Sequence, residues 1–126
     1  MTQSVLVDTC GWIDFLRGGA GSLTDRVEQA IADDSARLCS VSVAELLQGV
    51  KGARARQQLD LLFAHVEQLP VLEPDWVAAG LALHALRIQG ISVPLTDALV
   101  AAVARRKRLP VLTVDEHFGH LSVDLA

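Results

Sequence analysis

Along the chain, short unbroken apolar runs alternate with longer stretches whose apolar residues recur three and four positions apart. The first pattern marks strands and the second helices. Ser4 to Val7 is a strand-length run that stops at Asp8. From Thr9 to Arg17 the positions Trp12, Ile13, Phe15 and Leu16 predict a short helix, ended by Gly18-Gly19-Ala20-Gly21. Leu23, Val27, Ala30 and Ile31 predict a second helix, with Ser22 and Thr24 as caps and Asp33-Asp34-Ser35 as its breaker. Arg37 to Val41 reads as the second strand, and a helix is expected from Ser42. Gly49 and Gly52 separate that helix from the next, whose face is Leu59, Leu62, Phe63 and Val66. Glu67 to Val71 predicts a third strand that Pro70 confines to an edge or to its own end. Glu73-Pro74-Asp75 opens a long helix, with the proline and acids its first turn favours. It runs to about Gln89, closes at Gly90 and presents Trp76, Ala79, Leu83 and Leu86 on one side; Trp76, the other aromatics and the methionine are expected in the core. Ala98 to Ala104 is apolar throughout, which predicts a helix buried around much of its circumference. Leu109 to Val114 is a further strand, ending at Asp115, and Leu121 to Leu125 offers a last short one.

Strands alternating with helices require an α/β fold with a largely parallel sheet covered on both faces. Right-handed crossovers then gather the carboxyl ends of the strands on one edge, where ligand sites of such folds collect. The 126 residues form one domain, 1–126, with no visible boundary, tandem repeat or low-complexity segment. Although 51% of the residues are hydrophobic, no apolar stretch approaches the roughly 20 residues of a membrane span. The start Met1-Thr2-Gln3 does not read as a secretory signal, and Cys10 and Cys39 lie outside any CxxC, so a cytoplasmic setting with two reduced thiols is expected. A formal charge of -4 argues against broad electrostatic binding of nucleic acid, unless several acids are gathered in one site.

Four acids meet that condition: Asp8 and Asp115 end strands, while Glu45 and Asp97 lie near the starts of helices facing the same edge. Three of them have an ordinary alternative, which for Asp8 is to cap the next helix. Ser42-x-x-Glu45 fits a capping box, and Asp97 suits the dipole of the apolar helix behind it. Two carboxylates 4 Å apart repel by about 4 kcal/mol at an effective dielectric of 20, so convergence implies a cation. All-oxygen ligation selects Mg²⁺ or Mn²⁺, an ion that activates water and offsets charge on phosphate oxygens. Thr9 and Thr113 stand beside the acids, where their hydroxyls orient a ligand or satisfy nearby backbone. Lys51, Arg54 and Arg56, and Arg105 and Arg106 in the run that ends at Arg108, are either solvated charges or phosphate contacts. The four histidines lack an HExxH spacing, and no GxSxG, Walker loop or GxGxxG after a strand is present.

Val7-Asp8-Thr9 with Trp12 to Leu16, Ser42 to Leu46, Asp97 to Ala102, and Thr113-Val114-Asp115 with Phe118 resemble the PIN-domain ribonucleases, specifically VapC toxins of type II toxin-antitoxin pairs. The resemblance spans nearly the whole chain. It implies an α/β/α sandwich around a mostly parallel sheet of four to five strands, and an endoribonuclease dependent on Mg²⁺ or Mn²⁺. It also implies a homodimer silenced by a VapB-type antitoxin. By position, Asp8, Glu45, Asp97 and Asp115 match the catalytic and metal-binding acids of that family. Some relatives carry another acid two residues beyond the last Asp, where this chain has His117. A phosphoacceptor signalling domain with Mg²⁺ and a non-catalytic PIN-like binding module are the rival readings. The first needs an acid pair at the first strand and a lysine near the last; Val7 precedes Asp8 and no lysine follows Lys107.

Overall fold

The structure, a computed structural model, describes residues 3–126. Its sheet has the strands β1 (Val5–Val7), β2 (Ala36–Cys39), β3 (Glu67–Leu69) and β4 (Val111–Leu112), all parallel, in the order β3-β2-β1-β4. The expected last strand is reduced to one parallel bridge, Val111 to Leu125, held by hydrogen bonds of 2.8 Å on either side of Val111. The helices are α1 (Thr9–Leu16), α2 (Ser22–Ala32), α3 (Ser40–Gly49), α4 (Ala53–His65), α5 (Glu73–Ile88) and α6 (Leu95–Lys107). A 3₁₀ turn, Glu116–His120, follows β4.

Because successive strand residues face opposite sides, each strand feeds two cores. Leu6, Cys39, Leu69 and Val111 face α5 and α6, packing on Val100, Val103, Ala104 and Phe118. Val7, Leu38 and Leu112 face the other way, onto Trp12, Val27, Leu46, Leu59 and Leu62 of α1 to α4. The result is a helix-sheet-helix sandwich with α6 buried from Ala98 to Ala104. Gly11 lets the first turn of α1 lie close on β1: a Cβ there would stand 2.8 Å from Val7 Cγ1.

Three expectations need correction. The helix after β2 begins at Ser40, two residues earlier than its apparent capping box. Ser42 is therefore inside the helix and fully buried, and no capping box forms with Glu45. Gly21, rather than Ser22 or Thr24, caps α2. Trp76 is 53% exposed and is not core, whereas Trp12 and Phe118 are; Met1 lies outside the described residues. The largest exposed apolar set, Trp76, Val77, Leu81 and Ile88, is on α5. A helix that is apolar nearly all round gives no local signal of which side α6 will cover.

Candidate active site

The parallel register brings the ends of β1, β2 and β4 to one edge, and the chain leaves each of them at a polar residue. Asp8 follows β1 directly; its N–H still donates to Leu112 O of β4 at 3.0 Å, and it is 4% exposed. Its Oδ2 accepts from Thr113 Oγ1 at 3.0 Å and from Cys10 Sγ at 3.3 Å. Thr113 Oγ1 in turn accepts the N–H of Asp115 at 2.9 Å; β4 stops at Leu112, short of the expected Val114, so this hydroxyl ties the acid that follows β1 to one three residues beyond β4. Glu45, one turn into α3, accepts from Thr9 Oγ1 at 2.7 Å, and Thr9 is 2.7 Å from the buried Ser42 Oγ. Thr9 and Thr113 thus hold carboxylates in place.

Asp97, in the first turn of α6, completes the cluster. Burial first, then the charges of Asp115, Asp8 and Glu45, push its carboxyl from 3.8 up to about 6, against the opposing pull of His117. Asp8 is also pushed up, chiefly by burial, while hydrogen bonds from Cys10, the Thr9 backbone and Thr113 limit the rise and Asp115 adds to it. Burial raises the Cys10 thiol as well, so it stays protonated and donates. Among the described residues no lysine or arginine pairs with these acids, so the cluster accumulates negative charge.

His117 stands at the mouth of this cluster. Its Nδ1 is 2.9 Å from Asp115 Oδ1 and 3.2 Å from Asp97 Oδ2. Both Nδ1 and Asp97 Oδ2 are buried and lack a hydrogen bond among the described residues. Asp97, Asp115 and His117 present ligand atoms that all lie within 4.8 Å of one another. A divalent cation fits this set, since it would satisfy the orphaned atoms and offset the repulsion that lifts Asp97.

The basic residues divide. Beside Glu45 lies a groove of about 390 Å³, lined by Ile13, Leu46 and Leu59, with Arg17 and Lys51 also along it. Arg54 and Arg56 are exposed nearby on α4, and Arg56 pairs with Asp60 at 3.1 Å. Arg105 and Arg106 lie in the last turn of α6, about 12–14 Å along the helix from Asp97 at 1.5 Å per residue. Arg106 is committed there: its guanidinium holds Asp75 at 2.9–3.2 Å and Pro70 O at 2.9 Å. The sequence reading gave Ser42, Cys10 and Arg17 no part in the site, and left the part of His117 open. Only His117, two positions from Asp115, carried a signal, the departure from an acid.

Among known proteins, the chain is similar to ribonuclease VapC11 of Mycobacterium tuberculosis, 26% identical over 118 residues that cover 90% of this chain and 88% of the relative. In structure it is similar to VapBC2 of Rickettsia felis, solved bound to a DNA fragment from its promoter, with a TM-score of 0.81, 16% identity and 98% of both chains covered. It is also similar to VapC20 of Mycobacterium tuberculosis, a sarcin-ricin loop cleaving toxin, with a TM-score of 0.73, 19% identity and 98% of both chains covered. The family model of the PIN domain matches residues 5–123, so the chain belongs to the PIN domain family.

Proposed function

We propose that this chain is the toxin of a type II toxin-antitoxin pair, an endoribonuclease that hydrolyses RNA phosphodiester bonds with Mg²⁺ or Mn²⁺. The observation that carries this reading is the convergence of Asp8, Glu45, Asp97 and Asp115 on one sheet edge, with Asp97 lifted to about 6 by burial and by its neighbours' charge. A site that only bound RNA would gain nothing from gathering like charges that also repel phosphate.

Asp8, Asp97 and Asp115 would hold the ion, and Glu45 would complete its surroundings. Bound there, the ion supplies water activation and neutralises charge developing on the phosphate. The hydroxyls of Thr113 and Thr9 keep Asp8 and Glu45 aimed during turnover, since each hydrogen bond is made before substrate arrives. Glu45 spends Oε1 on Thr9. In this reading its second oxygen takes a proton from the attacking water. Lys51 and Arg17 lie along the adjoining groove, where they meet RNA phosphates, with Arg54 further out.

The partner is a VapB-type antitoxin, a reading supported by the toxin-antitoxin complexes among the similar structures. An arginine of that partner, whose planar fork bonds two carboxylate oxygens, is the side chain suited to the acid cluster. The exposed apolar face of α5 supports a homodimer, which light scattering at micromolar concentration tests directly.

The deciding experiment incubates purified, antitoxin-free protein with total cellular RNA and Mg²⁺ or Mn²⁺, beside Asp8→Asn. Cleavage that depends on the metal and on Asp8 is expected. Undiminished cleavage by Asp8→Asn, or in excess EDTA, overturns the proposal.

A further inference from the structure

His117 is the residue of this edge that an all-acid site does not explain. Its place is fixed twice. Phe118, 1% exposed, anchors the 3₁₀ turn in the core against α6. The His117 N–H donates to Asp115 Oδ1 at 2.9 Å, which locks the turn onto the acid that caps it. The ring that results puts Nδ1 against two carboxylates, at 2.9 and 3.2 Å, without a hydrogen bond to either. A ring N–H has one direction, in the ring plane, and neither oxygen lies along it. The partner such a nitrogen and such an oxygen share is a cation.

The spacing agrees. Ligands at right angles around an ion with bonds of about 2.1 Å stand about 3 Å apart, the square root of two times the bond length. The separations of Nδ1 from the two acid oxygens match that value. With Nδ1 as the ligand, the other ring nitrogen, Nε2, carries the proton. The side chain is 45% exposed, which leaves room for water at that nitrogen.

We propose that His117 Nδ1, with Asp97 and Asp115, forms a mixed nitrogen and oxygen face of the metal site, and that this face favours Mn²⁺ over Mg²⁺. Imidazole strengthens binding of transition ions, while Mg²⁺ holds to oxygen ligands. The inference rests on the metal-dependent reading above and goes beyond it in naming a ligand and a preference.

The test uses the full chain, freed of bound metal with EDTA and dialysed, in four forms: unaltered, His117→Ala, His117→Asp and His120→Ala. His120 is exposed and is outside the cluster. Circular dichroism establishes that each form is folded. Electron paramagnetic resonance then follows Mn²⁺ binding, Mg²⁺ competition gives the relative affinity, and spin-echo modulation reads nitrogen bound to Mn²⁺. The unaltered chain and His120→Ala should show imidazole ¹⁴N modulation, and His117→Ala should lose it. Mn²⁺ affinity should fall at least about tenfold in His117→Ala, on the scale of losing a partner in a metal site, with a smaller change for Mg²⁺. His117→Asp should narrow the ratio of the two ions. Mn²⁺ bound without ¹⁴N modulation, or modulation that survives His117→Ala, overturns the ligand while leaving metal dependence intact. Failure to bind Mn²⁺ at all overturns both readings.

Discussion

Replacing Asp97 by Asn separates what the acid cluster costs the fold from what it does with a metal. In metal-free protein the ionised Asp97 carboxylate is disfavoured by burial and by Asp115, Asp8 and Glu45, which hold its pKa at about 6 instead of 3.8. A displacement of that size corresponds to a ceiling of roughly 3 kcal/mol against the charged form, and residual solvent screening lowers it to about 1–3 kcal/mol. The sign follows from proton linkage. Below about 3.8 the group is protonated in both folded and unfolded chains, and stability is undiminished. As pH rises through about 6 the folded chain must release a proton it holds more tightly, and stability falls. Asp97→Asn removes the charge and keeps the shape, so in EDTA at pH 7.5 it should be the more stable protein by about 1–3 kcal/mol. At about 3–5 °C per kcal/mol for a chain of this length, that is a rise in Tm of several degrees. Near pH 4 the advantage should vanish. Mn²⁺ at a thousand times its Kd should reverse the order, adding about 4.1 kcal/mol to the unaltered protein and little to the variant. Urea denaturation at both pH values, with EDTA or Mn²⁺, measures all of these; the difference between the two proteins removes the other titrating groups. A variant less stable than the unaltered chain at pH 7.5 in EDTA, or a difference independent of pH, would refute the account of the cluster as unneutralised charge.

Two further substitutions test the supports. Asp75→Ala removes the carboxylate that accepts the Leu72 N–H at 2.8 Å and pairs with Arg106, and it should cost about 3 kcal/mol in urea denaturation. Burial alone would raise the Asp75 carboxyl, but hydrogen bonds from Arg106 and Leu72 and the nearby cationic charge outweigh it and hold it below its ordinary value. That stability is present above the unfolded pKa and lost as pH falls through the lowered one, so the gap between the two proteins should close in strong acid. Thr113→Val removes the donor to Asp8 Oδ2 and the acceptor of the Asp115 N–H. Its loss should raise the Asp8 pKa further and move the acid limb of the cleavage profile to higher pH, with activity at pH 6 down by about tenfold. A pH-rate series on the folded variant decides it, and an unshifted limb would count against Thr113 as the residue that keeps Asp8 charged.

Much of this architecture was legible locally. Apolar runs bounded by Asp8 and Asp115, and helical spacing between them, are short-range patterns, and the parallel sheet follows from their alternation. The gathering of acids on one edge follows in turn, because parallel strands share the side on which they end. Contacts between distant segments were not legible. The Ser42-x-x-Glu45 motif is the same string whether it caps a helix or lies inside one, and the start at Ser40 decided between them. Trp76 looked like core because α5 is apolar on several sides, and only the docking of α6 chose which side to bury. Arg106 read as a free cation until Asp75, 31 residues away in sequence, came to meet it. His117 read as a missing acid until the turn after β4 set it against the first turn of α6. The sequence by itself determined which residues end strands and start helices, since backbone periodicity is a local property. The tertiary structure alone decided which side chains share charge and burial, because those depend on distances between segments that no local pattern encodes.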